Sequence, residues 1–300
     1  TPADYTGPDA YGYYAYTGDD SFFDQTPVFD WMEISGVGSV INTGGASEYT
    51  RTVSIPFSFK YYGNSFTQVR VSTDGWIAFG SGTQTAFNNQ VLPNDDNVNN
   101  MVAVFWDNLI NTDYVNGNIL TYNDQANHRF IVEWDGVTIN SNGTSEGWAK
   151  FQAILLDPAY YHTVTGDGEI LVQYLVTDDV LSMTAGIENA AQDIGLLYVC
   201  NNIYDLSASE IKAGSVIKYT TNPPFETIIT SVEESDGINS ATASGQNKPN
   251  PFRSGTLISY TISEPGPVSV NIYDFRGILI KTLYNGHLTA GQHEILWDGT

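Results

Sequence analysis

The chain has 300 residues, a length that suits two domains, and 41% of them are hydrophobic, enough for a buried core. The 34 acidic residues against 11 Lys and Arg give a net charge of −23. Nucleic acid is excluded as a partner, because phosphates would be repelled, and an anionic membrane surface is disfavoured for the same reason. One cysteine, Cys200, excludes an internal disulfide framework, and no run of about eighteen apolar residues could span a bilayer as a helix.

The chain opens Thr1-Pro2-Ala3-Asp4 without an initiator Met or an apolar leader, the pattern of a removed upstream segment or of a chain read from an internal point. Residues 5 to 31 are rich in Gly, Asp and Tyr and lack periodicity. They predict an extended stretch laid across a sheet, anchored by Tyr13, Tyr16, Phe23 and Trp31. Strand signals then recur between turn residues: 52–62, 66–72, and 76–79 after the Asp74-Gly75 turn. The near-continuous apolar run 101–106 predicts a strand covered on both faces. Further strands are predicted over 117–122, 129–137, 148–156, 168–176, 183–189, 194–198 and 216–219. No segment keeps helical periodicity, although 208–213 admits one helical turn. Many short strands of this kind predict an all-β fold, a large jelly-roll-like β-sandwich over residues 1–225.

Residues 226–247 carry few large apolar groups and read as a linker. A second set of strands follows over 256–262, 268–273, 278–284 and 291–297. From 248 onward, Lys248, Arg253, Arg276 and Lys281 balance Glu264, Asp274, Glu294 and Asp298, so the whole excess of negative charge lies earlier. That asymmetry argues for two modules with different surroundings.

The segments Asn247 to Arg253, Ile258 to Ile262, Val268 to Gly277 and Leu288 to Gly299 resemble the C-terminal sorting domain of type IX secretion cargo, whose fold is immunoglobulin-like. Pro249 and Pro251 hold an extended approach, Asp274 to Gly277 makes a turn, and Trp297 is the expected core anchor. Members of that family continue for two more strands, so the small sandwich over 248–300 is expected to be incomplete. A longer parent chain, trimming after export, or a strand added from a neighbouring molecule would each account for this. The larger part, through Ile55 to Gly63, Val71 to Gly80, Asn100 to Leu109 and Phe130 to Trp134, resembles a nidogen-type extracellular β-sandwich. Together the resemblances imply a non-catalytic protein outside a Gram-negative cell, exported by type IX-like machinery. It would serve in adhesion, matrix or filament assembly, with copies of itself (through strand addition) or surface glycans as partners. The alternatives are an accessory fragment of a secreted protease or other hydrolase, and a carbohydrate-binding module.

Residue by residue, catalysis finds little support. His128, His162, His287 and His293 have no GxSxG, HExxH or P-loop beside them. Cys200, ending the run Leu196 to Cys200, reads as a buried structural thiol. Glu133 and Glu169 are the best strand carboxylates for glycoside hydrolysis, but a solvated strand face explains them more simply. Calcium is favoured over catalysis, because hard cations take oxygen ligands from Asp and Asn on loops. The preferred site is Asp95, Asp96, Asn97 and Asn99, ahead of the Asp19/Asp20/Asp24 and Asp178/Asp179 clusters. Trp76, Trp106 and Trp134 are expected in the core, and Trp148 is the tryptophan best placed to stack on a sugar.

Overall fold

The computed structural model describes residues 5–43, 46–95, 98–110, 117–141, 144–225, 241–242, 248, 255–273 and 279–299. It divides into two compact units, Thr1–Ile229 and Thr230–Thr300. The strands of the first unit are β1 (Tyr14–Thr17), β2 (Ser39–Val40), β3 (Thr50–Tyr61), β4 (Asn64–Ser72), β5 (Trp76–Phe79), β6 (Met101–Trp106), β7 (Leu109–Ile110) and β8 (Asn118–Asp124). They continue as β9 (Arg129–Ser141), β10 (Thr144–Leu156), β11 (Ile170–Thr177), β12 (Thr184–Glu188), β13 (Gly195–Cys200), β14 (Ile203–Tyr204) and β15 (Ser215–Thr220). Among the described residues the helical content is one 3-10 turn, Gln125–Asn127.

These strands form two antiparallel sheets. One has the order β1-β15-β11-β10-β9-β8-β2, with β7 also on β9; the other runs β14-β13-β12-β6-β5-β4-β3. The expected all-β sandwich is therefore present. Alternation decides which side chains meet between the sheets. On β10, Ala149, Phe151, Ala153 and Leu155 join the central core with Trp134 of β9, Tyr174 of β11 and, from the other sheet, Val71, Phe79 and Val104. Phe105 stacks on Phe151 at 5.2 Å across this interface. Two hydrogen bonds cross it as well: Tyr174 Oη donates to the Val104 carbonyl at 2.6 Å, and Trp134 Nε1 to that of Ser72 at 2.8 Å. Buried polar tips so paired keep large aromatic rings in the core without an unmet desolvation cost.

Both outer faces are covered by the chain itself. On the seven-stranded sheet, Trp76, Ala78, Met101, Ala103 and Trp106 pack under Leu92 and Val98 of the segment that joins β5 to β6. The indoles of Trp76 and Trp106 both donate to the Ala86 carbonyl, at 2.9 and 2.8 Å, and pin that segment down. This explains the all-buried run of β6. On the other sheet, Leu120, Ile131, Ile154 and Leu156 pack under Ile34 and Met32. The segment before β2 is thus a strap across the sheet.

Several details depart from the sequence reading. Tyr14–Thr17 is an edge strand paired with β15, and Tyr13 and Tyr16 are fully buried anchors, whereas Phe23 and Trp31 are only half-buried. Residues 208–213 form no helical turn, because the Tyr198 hydroxyl holds the Ser209 carbonyl and the Ile211 amide donates to the Tyr204 hydroxyl. Strands β9 and β10 run far longer than predicted and make the most extensive pairing in the sheet.

The second unit holds β16 (Ala241–Thr242), β17 (Thr256–Ile262), β18 (Gly266–Tyr273), β19 (Leu279–Leu288) and β20 (Gly291–Trp297). They form a three-stranded sheet, β16-β17-β20, and a two-stranded one, β18-β19. Thr256, Tyr260 and Ile262 are buried, while Leu296 remains 67% exposed. Trp297 is half-buried, short of the core anchor expected of it. The expected turn at 274–277 and the approach at 249–253 lie outside the described residues.

Candidate functional site

The richest concentration of charge lies on the outer face of the eight-stranded sheet, under the strap. Alternation along β10 sends Lys150 and Gln152 outward, between Trp148 and Ile154. On β9 it sends Glu133 and Asp135 the same way. The ladder pairs Lys150 with Asp135 and Gln152 with Glu133. Register shifts flank Lys150 against both of its neighbouring strands, a local irregularity of the kind that re-aims a side chain.

Lys150 Nζ lies 2.7 Å from Asp135 Oδ1, 2.7 Å from Glu33 Oε2 of the strap and 3.5 Å from Glu133 Oε1. The Trp31 ring lies over it, 5.9 Å from the ammonium. Gln152 Nε2 donates to Glu133 Oε2 at 2.5 Å and to the Met32 carbonyl at 2.7 Å. Further along, Arg129 reaches Asp124 at 2.7 Å and Asp30 at 3.7 Å. Gln173 exchanges two hydrogen bonds with the Asp30 backbone. The strap is therefore held by ion pairs and amide contacts around a small apolar centre.

Electrostatics sorts the three carboxylates. Complete burial pushes Glu133 up to about 7, against the opposing pull of Gln152 and Lys150. Burial also raises Glu33, but hydrogen bonds from Lys150 and Ser35 outweigh it and bring that carboxyl down to about 2. Burial alone would lower Lys150; the close Asp135 and Glu33 carboxylates raise it instead. The ammonium is thus firmly charged, and Glu133, farthest from it, is the carboxyl that holds a proton near neutrality.

A second concentration of buried carboxyls lies at the Asp74-Gly75 turn. Asp74 is fully buried, with its oxygens 3.3–3.4 Å from Thr73 Oγ1, Ser72 Oγ and the Leu109 amide. Burial raises it to about 8, and the nearby Glu48 adds to the rise. Burial likewise raises Asp107, which accepts from the Ser182 hydroxyl at 2.6 Å.

The sequence-predicted sites fare unevenly. Asp95 and Asn99 are exposed, and Asp96 and Asn97 lie outside the described residues. Trp148 is 36% exposed at the start of β10, where its amide contacts Asp178 at 3.1 Å. Glu133 does not lie on a solvated face: the strap covers it completely. Glu169 faces Lys218 at 3.7 Å and Asn222, so the two glutamates have separate partners. His128 stacks on Tyr160 with ring centroids 3.3 Å apart, and the ring nitrogens of His162 and His293 meet backbone carbonyls. Cys200 is buried and free, as expected. Among the described residues, no helix is long and apolar enough to cross a membrane.

A family model described as NIDO related matches residues 22–247. No curated protein and no solved structure matches the chain.

Proposed function

The chain belongs to the NIDO-related family, and from that membership we propose that it is a non-catalytic, extracellular module acting through its surface; its place on the outside of a Gram-negative cell rests on the sorting-domain-like motifs of the second unit. The match over 22–247 carries this reading, because it takes in nearly the whole large sandwich. Supporting it, the interior of the sandwich is filled by aromatic and branched side chains, and the hydroxyls of Tyr61 and Tyr174 are spent on backbone carbonyls. Export by type IX-like machinery rests on the sequence motifs of the second unit. Adhesion or filament assembly follows as the role of such an exported scaffold. Surface biotinylation of intact cells, followed by deletion of residues 248–300, tests the export reading. The full-length protein should be labelled and the truncated one retained inside; equal labelling of both would refute it.

The exposed indole of Trp148 favours a glycan-binding role within the same reading. On a glycan array, the wild type should bind at least one class of sugar and Trp148→Ala should lose it while melting unchanged. Identical profiles for the two proteins would remove the idea.

A further inference from the structure

The geometry points to a divalent-cation site under the strap, formed by Glu33, Glu133, Asp135 and Gln152, at which Lys150 is the ion's built-in competitor. One oxygen from each of the three carboxylates lies within 4.8 Å of the others, a spread that a single ion could bridge. The donors are all oxygens, the set that calcium prefers. The carboxylates alone would be only an acidic patch, but a second observation separates them from one. Gln152 is fully buried, with its carboxamide against Glu133, and its Oε1 accepts no hydrogen bond, whereas Glu133 Oε1 has the Lys150 ammonium 3.5 Å away. A buried acceptor left without a donor is costly, and a metal ion satisfies it as well as a proton donor would.

Three carboxyl groups also surround the one ammonium, and Glu133 would release its proton to solvent as the ion binds. Ammonium and divalent ion cannot share the same oxygens, so cation binding displaces Lys150. Its flexible four-carbon stem lets the ammonium move toward the rim, where Asp135 and Glu33 are 19% and 48% exposed. Glu33 belongs to the strap, while Glu133, Asp135 and Gln152 belong to the sheet, so the ion would rivet one to the other. This site is separate from the Asp95 loop and independent of the surface role proposed above.

Terbium is a suitable probe, since it takes the same oxygen ligands and is excited by a nearby indole; Trp31 lies 5.9 Å from the Lys150 ammonium. The whole chain should show saturable, tryptophan-sensitised terbium emission that calcium displaces. Lys150→Gln should tighten both ions by roughly tenfold or more, and Asp135→Asn should abolish the signal with an unchanged circular-dichroism spectrum. If Asp135→Asn does not fold, Glu33→Gln, altering a half-exposed side chain, reads the same site. Absent emission, emission undiminished in the carboxylate variants (scattered surface acids only), or no tightening in Lys150→Gln would each overturn the proposal.

Discussion

Gly75 is where one missing methyl group holds the two central strands together. Its backbone has φ near +74°, and a Cβ built there would lie 1.9 Å from the Phe105 carbonyl oxygen and 2.7 Å from its carbon. The clash is with backbone that cannot rotate away, because the Val104 and Phe105 amides both donate to the Gly75 carbonyl. Gly75→Ala must therefore pay about 1–2 kcal/mol for the left-handed conformation and about 1–3 kcal/mol more for pushing the turn off β6. Gly214 is the control: its φ is +86°, but nothing lies within 4 Å of its Cβ position, so Gly214→Ala incurs the conformational cost alone. In urea titrations followed by tryptophan fluorescence, Gly75→Ala should lose about 2–5 kcal/mol, the sum of those two costs. Gly214→Ala should lose no more than about 2 kcal/mol. Equal losses would show that the close approach to Phe105 does not constrain the turn.

Asp74 predicts a pH dependence. Its folded-state pKa, about 8, lies above the unfolded value of about 3.9. Its contribution is therefore fully present below pH 4 or so and is lost as pH rises through 8, by at most a few kcal/mol. Asp74→Asn should remove that slope, so the variant should gain on the wild type steadily between pH 5 and 8 in chemical denaturation; parallel curves would refute the assignment. The shared Ala86 carbonyl predicts non-additivity. Trp76→Phe and Trp106→Phe each leave it one donor, whereas the double variant leaves none and should cost about 1 kcal/mol more than the two singles together. Strict additivity would show that the carbonyl does not matter.

The strands were legible because alternation and turn residues are local. Asp74-Gly75 marks its turn, and the apolar runs from Trp76 to Tyr219 became strands close to their predicted bounds, apart from β9 and β10, which run longer. What alternation cannot say is what covers a face. Glu133 alternates outward, as a solvated residue should, yet Met32, Glu33 and Ile34, about a hundred positions earlier, lie across it. Those strap residues carry no period of their own, so no signal linked them to Lys150. The same limit hid the pinning of the segment around Ala86 by two indoles. Trp76 and Trp106 read correctly as core, but their common acceptor is set only by the fold. The short strands β2, β7 and β14, two residues each, are made by their neighbours and leave no pattern to read.

With both broad faces of the large sandwich covered, its edges matter most for self-assembly, and three of the four edge strands are blunted. Strands β2 and β14 are two residues long, and β3 carries Pro56 and a register shift, features that discourage pairing with another chain. The second unit differs. Among the described residues β20 pairs only with β17 and offers seven residues along its other side, with Leu296 exposed beside them. If copies join by strand addition, as the sequence leads one to expect, β20 is one edge on offer, beside those of β18 and β19. Successive amides of a strand point to opposite sides, so of Glu294→Pro and Ile295→Pro one removes a donor on the free edge and the other a bond to β17. The first should disperse any assemblies seen by electron microscopy while the unit stays folded; the second should unfold the unit. Assemblies that survive in the folded variant would exclude β20 as the joining edge.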